Sequence, residues 1–240
     1  MTPSRSKPSH FLWTLVALGL LLAWDASGLD MPLARLFGDA EGFPLQYHWV
    51  FGGILHDGAR IAAWVPAVWI VAGIWWPSGI LAKLGRHERV QWAVTTLVAL
   101  VAISLLKQAS HTSCPWDLAE FGRRAAWVSH WDFHVGDGGG GHCFPAGHAS
   151  AGFAFLGGYF ALRRTLPGAA RAWLIGSMAV GLLLGVSQQM RGAHFMSHTL
   201  WTAWLCWTIA WLIDAVAQRF KSSRGPAIPA TPVLPAAQPR

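Results

Sequence analysis

Six apolar runs decide what this chain can fold into. Residues 11–29, 59–76, 91–107, 147–163, 172–188 and 197–216 are apolar enough and long enough to span a bilayer, which takes roughly 20 residues of helix. Backbone inside a membrane must satisfy its own hydrogen bonds, so these runs are expected to be helical. The expected fold is all-α, a six-transmembrane-helix bundle. Charge is scarce: 53% of the residues are hydrophobic and 12% charged, where a soluble domain carries about twice that charged share. Sixteen Trp against two Tyr suit a chain with indoles at a membrane interface, although Trp also packs cores. Arg5 and Lys7 ahead of the first run imitate a signal peptide. No small-x-small cleavage site follows cleanly and five more runs lie downstream, so this run reads as a retained helix.

Basic residues give an orientation. With the N-terminus inside, the inner segments hold Arg5, Lys7, Lys83, Arg86, Arg89, Arg163, Arg164, Arg171, Arg219, Lys221, Arg224 and Arg240, which is twelve of the eighteen. Arg35, Arg60, Lys107, Arg123, Arg124 and Arg191 fall outside. This bias predicts cytoplasmic N- and C-termini, in a bacterial-type inner (plasma) membrane. The net charge of +7 is then mostly a topology signal, and no nucleic-acid motif or partner is expected.

Residues 1–224 read as one membrane domain, followed by a Pro/Ala-rich tail at 225–240 expected to be disordered. The outer loop 108–146 is long, and loops of that length usually carry function. It holds Trp116, Trp127, Trp131, four His and the run Gly138–Gly141. The glycines either lend flexibility, the plainer reading, or cradle a phosphate with backbone N–H groups. Segment 30–58 is expected outside as well. Leu33, Leu36 and Phe37 beside Arg35 and Asp39 suggest a short interfacial helix that plugs the bundle.

Chemistry gathers at the helix mouths. Cys143-Phe144-Pro145-Ala146-Gly147-His148 opens the fourth run, and Arg191-Gly192-Ala193-His194-Phe195-Met196-Ser197-His198 opens the sixth. Lys107 ends the third run at the same expected depth. Metal-free phosphoryl transfer needs cations for the phosphate oxygens, a nucleophile, and an acid for the leaving oxygen. Imidazole can serve as nucleophile or acid near neutral pH. Plainer readings stand beside these: packed interface histidines at 194 and 148, and a snorkelling lysine at 107. No cysteine pair has zinc spacing. His134, His142 and His148 with Cys143 form a diffuse metal candidate, and neither metal nor cofactor is expected.

Lys107-x6-Cys114-Pro115, Pro145-Ala146-Gly147-His148 and Gly192-Ala193-His194-Phe195-Met196-Ser197 together resemble the three-part signature of the type 2 phosphatidic acid phosphatase superfamily, in its six-helix membrane branch. That signature reads Lys-x6-Arg-Pro, then Pro-Ser-Gly-His, then Ser-Arg-x5-His-x3-Asp, and the resemblance spans roughly residues 60–216. It implies a lipid phosphatase working through a phosphohistidine. His194 would be the nucleophile, His148 the general acid, and Lys107 and Gly147 part of the phosphate site. Lipid phosphate and membrane lipids are the implied partners. The implied substrates are a prenyl pyrophosphate, lipid A phosphate or a phosphoglycerolipid. The alternatives are a lipid phosphotransferase using the same site, and a non-catalytic binder of lipid phosphate.

The chain departs from the signature at four places: Cys114 stands for its first Arg, Ala146 for its Ser, Gln188 for its second Arg, and His198 for its Asp. Arg191 is expected to replace one arginine, and Arg123 or Arg124, folding back from the loop, the other. His198 is a supporting residue, and Asp117, Asp132 and Asp137 are candidates to orient His194. Cys114 and Cys143 flank motifs that must converge if the site exists. A disulfide between them is expected, against the alternatives of buried free thiols or sulfurs too far apart to join. Cys206, inside the last run, reads as an apolar filler.

Overall fold

The computed structural model describes residues 9–222. The expected tail at 225–240 lies outside them. Seven helices organise the described residues: α1 (His10–Ser27), α2 (Asp30–Ala34), α3 (Val50–Ala72), α4 (Arg86–Ala109), α5 (Ser150–Leu162), α6 (Pro167–Met190) and α7 (Met196–Ser222). Among the described residues there is no β-strand, only two isolated bridges.

Five helices, α1, α3, α4, α6 and α7, are long and apolar enough to cross a membrane, and the protein is a multi-pass membrane protein. The fourth expected span is shorter than foreseen. It is helical only over Ser150–Leu162, with a 3₁₀ turn at Ala154–Leu156. Its apolar residues face protein on nearly every side: Phe153, Leu156, Phe160 and Leu162 are fully buried. Small residues permit this close packing. A Cβ on Gly152 would lie 2.6 Å from the Gly181 Cα of α6.

The second span also starts earlier than foreseen. The helix begins at Val50, so the connection after α2 ends there and does not run on to 58. Val50–Gly58 has the wide turns of a π-helix before α-geometry resumes. His56, Asp57 and three glycines make this stretch look like a loop in sequence. π-turns are frequent at functional sites, and this one carries His56 to the same end of the bundle as His148. The foreseen interfacial helix exists only as α2 and the turn after it.

The chain meets itself at one end of the bundle. There α1, α4 and α6 finish, and α3, α5 and α7 begin. Over this end Phe43, Leu118, Phe121, Ala125 and Phe195 form a small apolar cap, to which Ala34 of α2 contributes. An ion pair from Arg35 to Glu120 fastens α2 to the outer loop. At the opposite end Asp214 accepts hydrogen bonds from Arg163 (2.7 Å), Arg164 (2.9 Å) and Gln91 (3.0 Å), tying α7 to α4 and the end of α5.

Candidate active site

Four of the expected site residues lie at or just beside helix termini. Lys107 is in the last turn of α4, Arg191 caps the C-terminus of α6, and His148 and His194 immediately precede α5 and α7. Backbone bonds hold these termini in register. Trp116 N–H donates to Gly192 O (2.9 Å), Ala146 N–H to His198 O (3.2 Å), and Cys143 N–H to Thr112 O (3.0 Å). Gly192, at φ 76°, makes the turn out of α6 that a side chain would strain. A disulfide joins Cys114 and Cys143, with Cα atoms 5.1 Å apart. The glycine run is pinned by Asp137, which accepts from the Ser113 backbone N–H and hydroxyl and from Gly139 N–H.

His194 is buried, 2% exposed, with Nδ1 3.6 Å from Cys143 Sγ. A disulfide sulfur carries no proton, so a hydrogen bond at this contact takes its proton from His194 Nδ1. That leaves the lone pair on Nε2. His198 Nδ1 lies 3.1 Å from the Cys143 carbonyl, and its ring is 5.8 Å from that of His194. Cys143 therefore orients both imidazoles. Among the described residues, Asp117, Asp132 and Asp137 make no hydrogen bond to His194. Burial holds His194 well below the ordinary imidazole range, and Lys107, His198 and His148 add to this.

His148 is half-buried, and its shielded Nε2 has no hydrogen-bond partner. Burial, then the positive surroundings of His56, Lys107, Arg191 and Arg60, push it down to about 3. Gly147 lies against the lysine: a Cβ there would sit 3.4 Å from Lys107 Cδ and 3.8 Å from Nζ. Arg191 is held on two sides. Its Nε donates to Gln46 O (3.0 Å) and its Nη1 to Gln188 Oε1 (2.9 Å), while its guanidinium lies 5.7 Å from the Trp116 ring centroid. Gln188, in the place of an expected arginine, thus aims the arginine one turn away. Arg123 and Arg124 are exposed on the outer loop.

A cavity of about 410 Å³ adjoins this cluster, its lining including Arg60, Lys107 and His148 and the apolar side chains of Trp64, Leu100 and Phe155. The Cys114 and Cys143 sulfurs and a His194 nitrogen lie within 4.8 Å of one another, close enough to hold a metal by distance. The disulfide removes the two thiolates that such a metal would need.

Sequence reasoning missed the residues that α3 contributes. The His56 and His148 rings lie 3.8 Å apart between centroids, and Asp57 Oδ1 is 2.8 Å from His56 Nδ1. The signal was present: His56 stands just ahead of the apolar run at 59–76, as His148 and His194 stand ahead of theirs. On the far side of His198, Asp25 accepts from the indoles of Trp131 (3.1 Å) and Trp201 (2.9 Å), anchoring the outer loop to α1 and α7.

The family model of the PAP2 superfamily matches residues 89–222. No curated protein matches the chain. Among solved structures, the first transmembrane PAP2-type phosphatidylglycerolphosphate phosphatase, from Bacillus subtilis, is similar at 18% identity, covering 88% of this chain and 94% of that one, with a TM-score of 0.47.

Proposed function

The chain belongs to the PAP2 superfamily, and on that premise we propose that it removes a phosphate from a lipid head group by phosphoryl transfer to His194. The observation that carries this reading is the pairing of a cationic, imidazole-lined end with an apolar cavity of about 410 Å³. Lys107 and Arg191 grip the phosphate oxygens there, and the cavity receives the first part of the lipid tail. Gly147 N–H adds a neutral donor beside Lys107.

His194 attacks phosphorus through Nε2, the nitrogen left free when Nδ1 donates to Cys143. The bond from phosphorus to the lipid oxygen breaks, and that oxygen takes up a proton on the His148 side. Water then attacks the phosphohistidine: its oxygen bonds phosphorus as its proton passes to the His148 side and the P–N bond breaks, releasing His194 and inorganic phosphate. Anchoring through Cys143 replaces the carboxylate that position 198 does not supply, and His198 shares that anchor. The bias of basic residues supports cytoplasmic termini and an outward-facing site in a bacterial-type inner membrane. The lipid is a prenyl pyrophosphate, lipid A phosphate or a phosphoglycerolipid.

Purified protein, given a panel of these lipids with a chelator present, tests the reading. Release of inorganic phosphate despite chelator supports it. Phosphate appearing only on a second lipid marks a phosphotransferase instead, and lipid-phosphate binding without turnover marks a binder.

A further inference from the structure

Cys114, Cys143 and His194 bring two sulfurs and an imidazole nitrogen within 4.8 Å of one another. A tetrahedral zinc ion, with bonds of about 2.3 Å to sulfur and about 2.0 Å to nitrogen, sets those two kinds of atom about 3.6 Å apart. Cys143 Sγ and His194 Nδ1 already stand 3.6 Å apart. What excludes an ion is the disulfide, which ties up both sulfurs. Opened, it gives two thiols, and a thiophilic ion takes such groups as thiolates. Their charges cancel that of the dication, which would otherwise face Lys107, His148 and His198 unbalanced. Cys143 and His194 are buried, whereas Cys114 is half-buried and gives access from its side. Its freed sulfur has room to move to the separation of about 3.8 Å that zinc sets between two thiolates. Cys206, buried in α7, is not part of the cluster.

We propose that, once a dithiol has opened the Cys114–Cys143 disulfide, the two thiolates and His194 Nδ1 bind zinc, and that the ion silences the site. The silencing rests on the reading of His194 as the nucleophile of a lipid phosphatase; the metal site does not. In the opening step the dithiol closes to its own disulfide, and its two thiol hydrogens end on Cys114 and Cys143. Zinc then displaces both protons to water and takes the lone pair of Nδ1. A neutral imidazole bonded to metal through Nδ1 carries its proton on Nε2. Nε2 is the atom that must attack phosphorus, and it then has no lone pair to use. The closed disulfide does the reverse: its sulfur accepts a hydrogen bond from Nδ1 and leaves Nε2 free. The same sulfur therefore sets the tautomer of the nucleophile in both states, and a chain that meets zinc before its disulfide closes stays off.

The test uses the whole protein in detergent, with its disulfide intact or reduced by a phosphine that is then removed without air. Cobalt(II), a coloured substitute for zinc, should bind the reduced protein and give thiolate charge-transfer and tetrahedral ligand-field bands. The oxidised protein should give neither, and reduced Cys206→Ala should keep both. In His194→Ala the cobalt affinity should fall by at least about tenfold; the Tm of that variant reports its folding, and the wild-type redox comparison stands without it. Zinc should raise the Tm of the reduced protein only. It should also stop phosphate release by the reduced protein, with chelator restoring the metal-free rate, and leave the oxidised protein at its own rate. Reduced protein with no bands and no gain in Tm overturns the proposal, as do bands unchanged in His194→Ala or equal inhibition of the oxidised form. If the bands appear and neither redox form ever releases phosphate, the metal site stands and the phosphatase reading falls.

Discussion

His194 and Arg191 give sharp tests because each has its geometry set by a named partner. With Nδ1 committed to Cys143, His194 has one nitrogen to offer phosphorus. His194→Ala should cost several factors of ten in turnover and abolish a trapped phosphohistidine; retention of more than about a tenth of wild-type turnover refutes that role. Arg191 spends Nε and Nη1 on Gln46 and Gln188, an arrangement that depends on a planar fork. Arg191→Lys should therefore lose nearly as much activity as Arg191→Ala, since an ammonium cannot make the same bonds, and full activity in the lysine variant removes the residue from the site. Burial also makes a stability prediction. His148 titrates near 6.5 when unfolded and at about 3 when folded. Between those values the unfolded chain binds more protons, so stability falls as the pH drops through about 6.5 toward 3. Thermal unfolding in detergent should show Tm declining from pH 7 to pH 5, less steeply in His148→Gln; a flat Tm in wild type contradicts this. Residues 107, 148, 191 and 194 could be picked out from sequence, because ionisable groups at the mouths of apolar runs stand out. Their partners could not. Nothing in the string indicates that Cys143 stands beside His194, or that Gln188 aims Arg191.

At the scale of elements, the apolar runs located most of the helices, and the errors share one cause. A run of hydrophobic residues measures how much lipid a segment could cover, and α5 is mostly buried in protein. It is sheathed by α4, α6 and α7, so its length follows protein packing and not bilayer thickness. The opposite error occurred at α3, where the polar side chains of His56 and Asp57 are tolerated at its site end. The loop before α5 depends on its disulfide. Cys114 and Cys143 are 29 residues apart, and closing a loop of that size stabilises by roughly 3–4 kcal/mol on the chain-entropy model. Cys114→Ser should lower Tm and, by loosening Cys143, also depress kcat. Alkylation and mass spectrometry with and without reductant check the bond directly: ready labelling of both thiols before reduction means that it does not form.

At the scale of the whole molecule, the PAP2 match covers residues 89–222, and α1 to α3 lie ahead of it. They contribute Ala34 to the cap, the Asp25 anchor, and the histidine and cavity wall of α3. The shortness of α5 has a consequence for the surrounding lipid. Its 13 residues rise about 20 Å, against roughly 30 Å of hydrocarbon in an ordinary bilayer. If Arg163 and Arg164 mark one interface, His148 lies below the level of the opposite head groups. A substrate phosphate would then have to sink to reach it, and the protein would work at the bottom of a dimple. Turnover should rise when the host bilayer is thinned, for instance in liposomes of matched head group with acyl chains shortened from eighteen carbons to fourteen. A rate indifferent to chain length would mean that the site stands level with the surface. If the dimple exists, the membrane's own thickness is a setting on the enzyme, and growth conditions that change acyl-chain length would alter its rate with no effector bound.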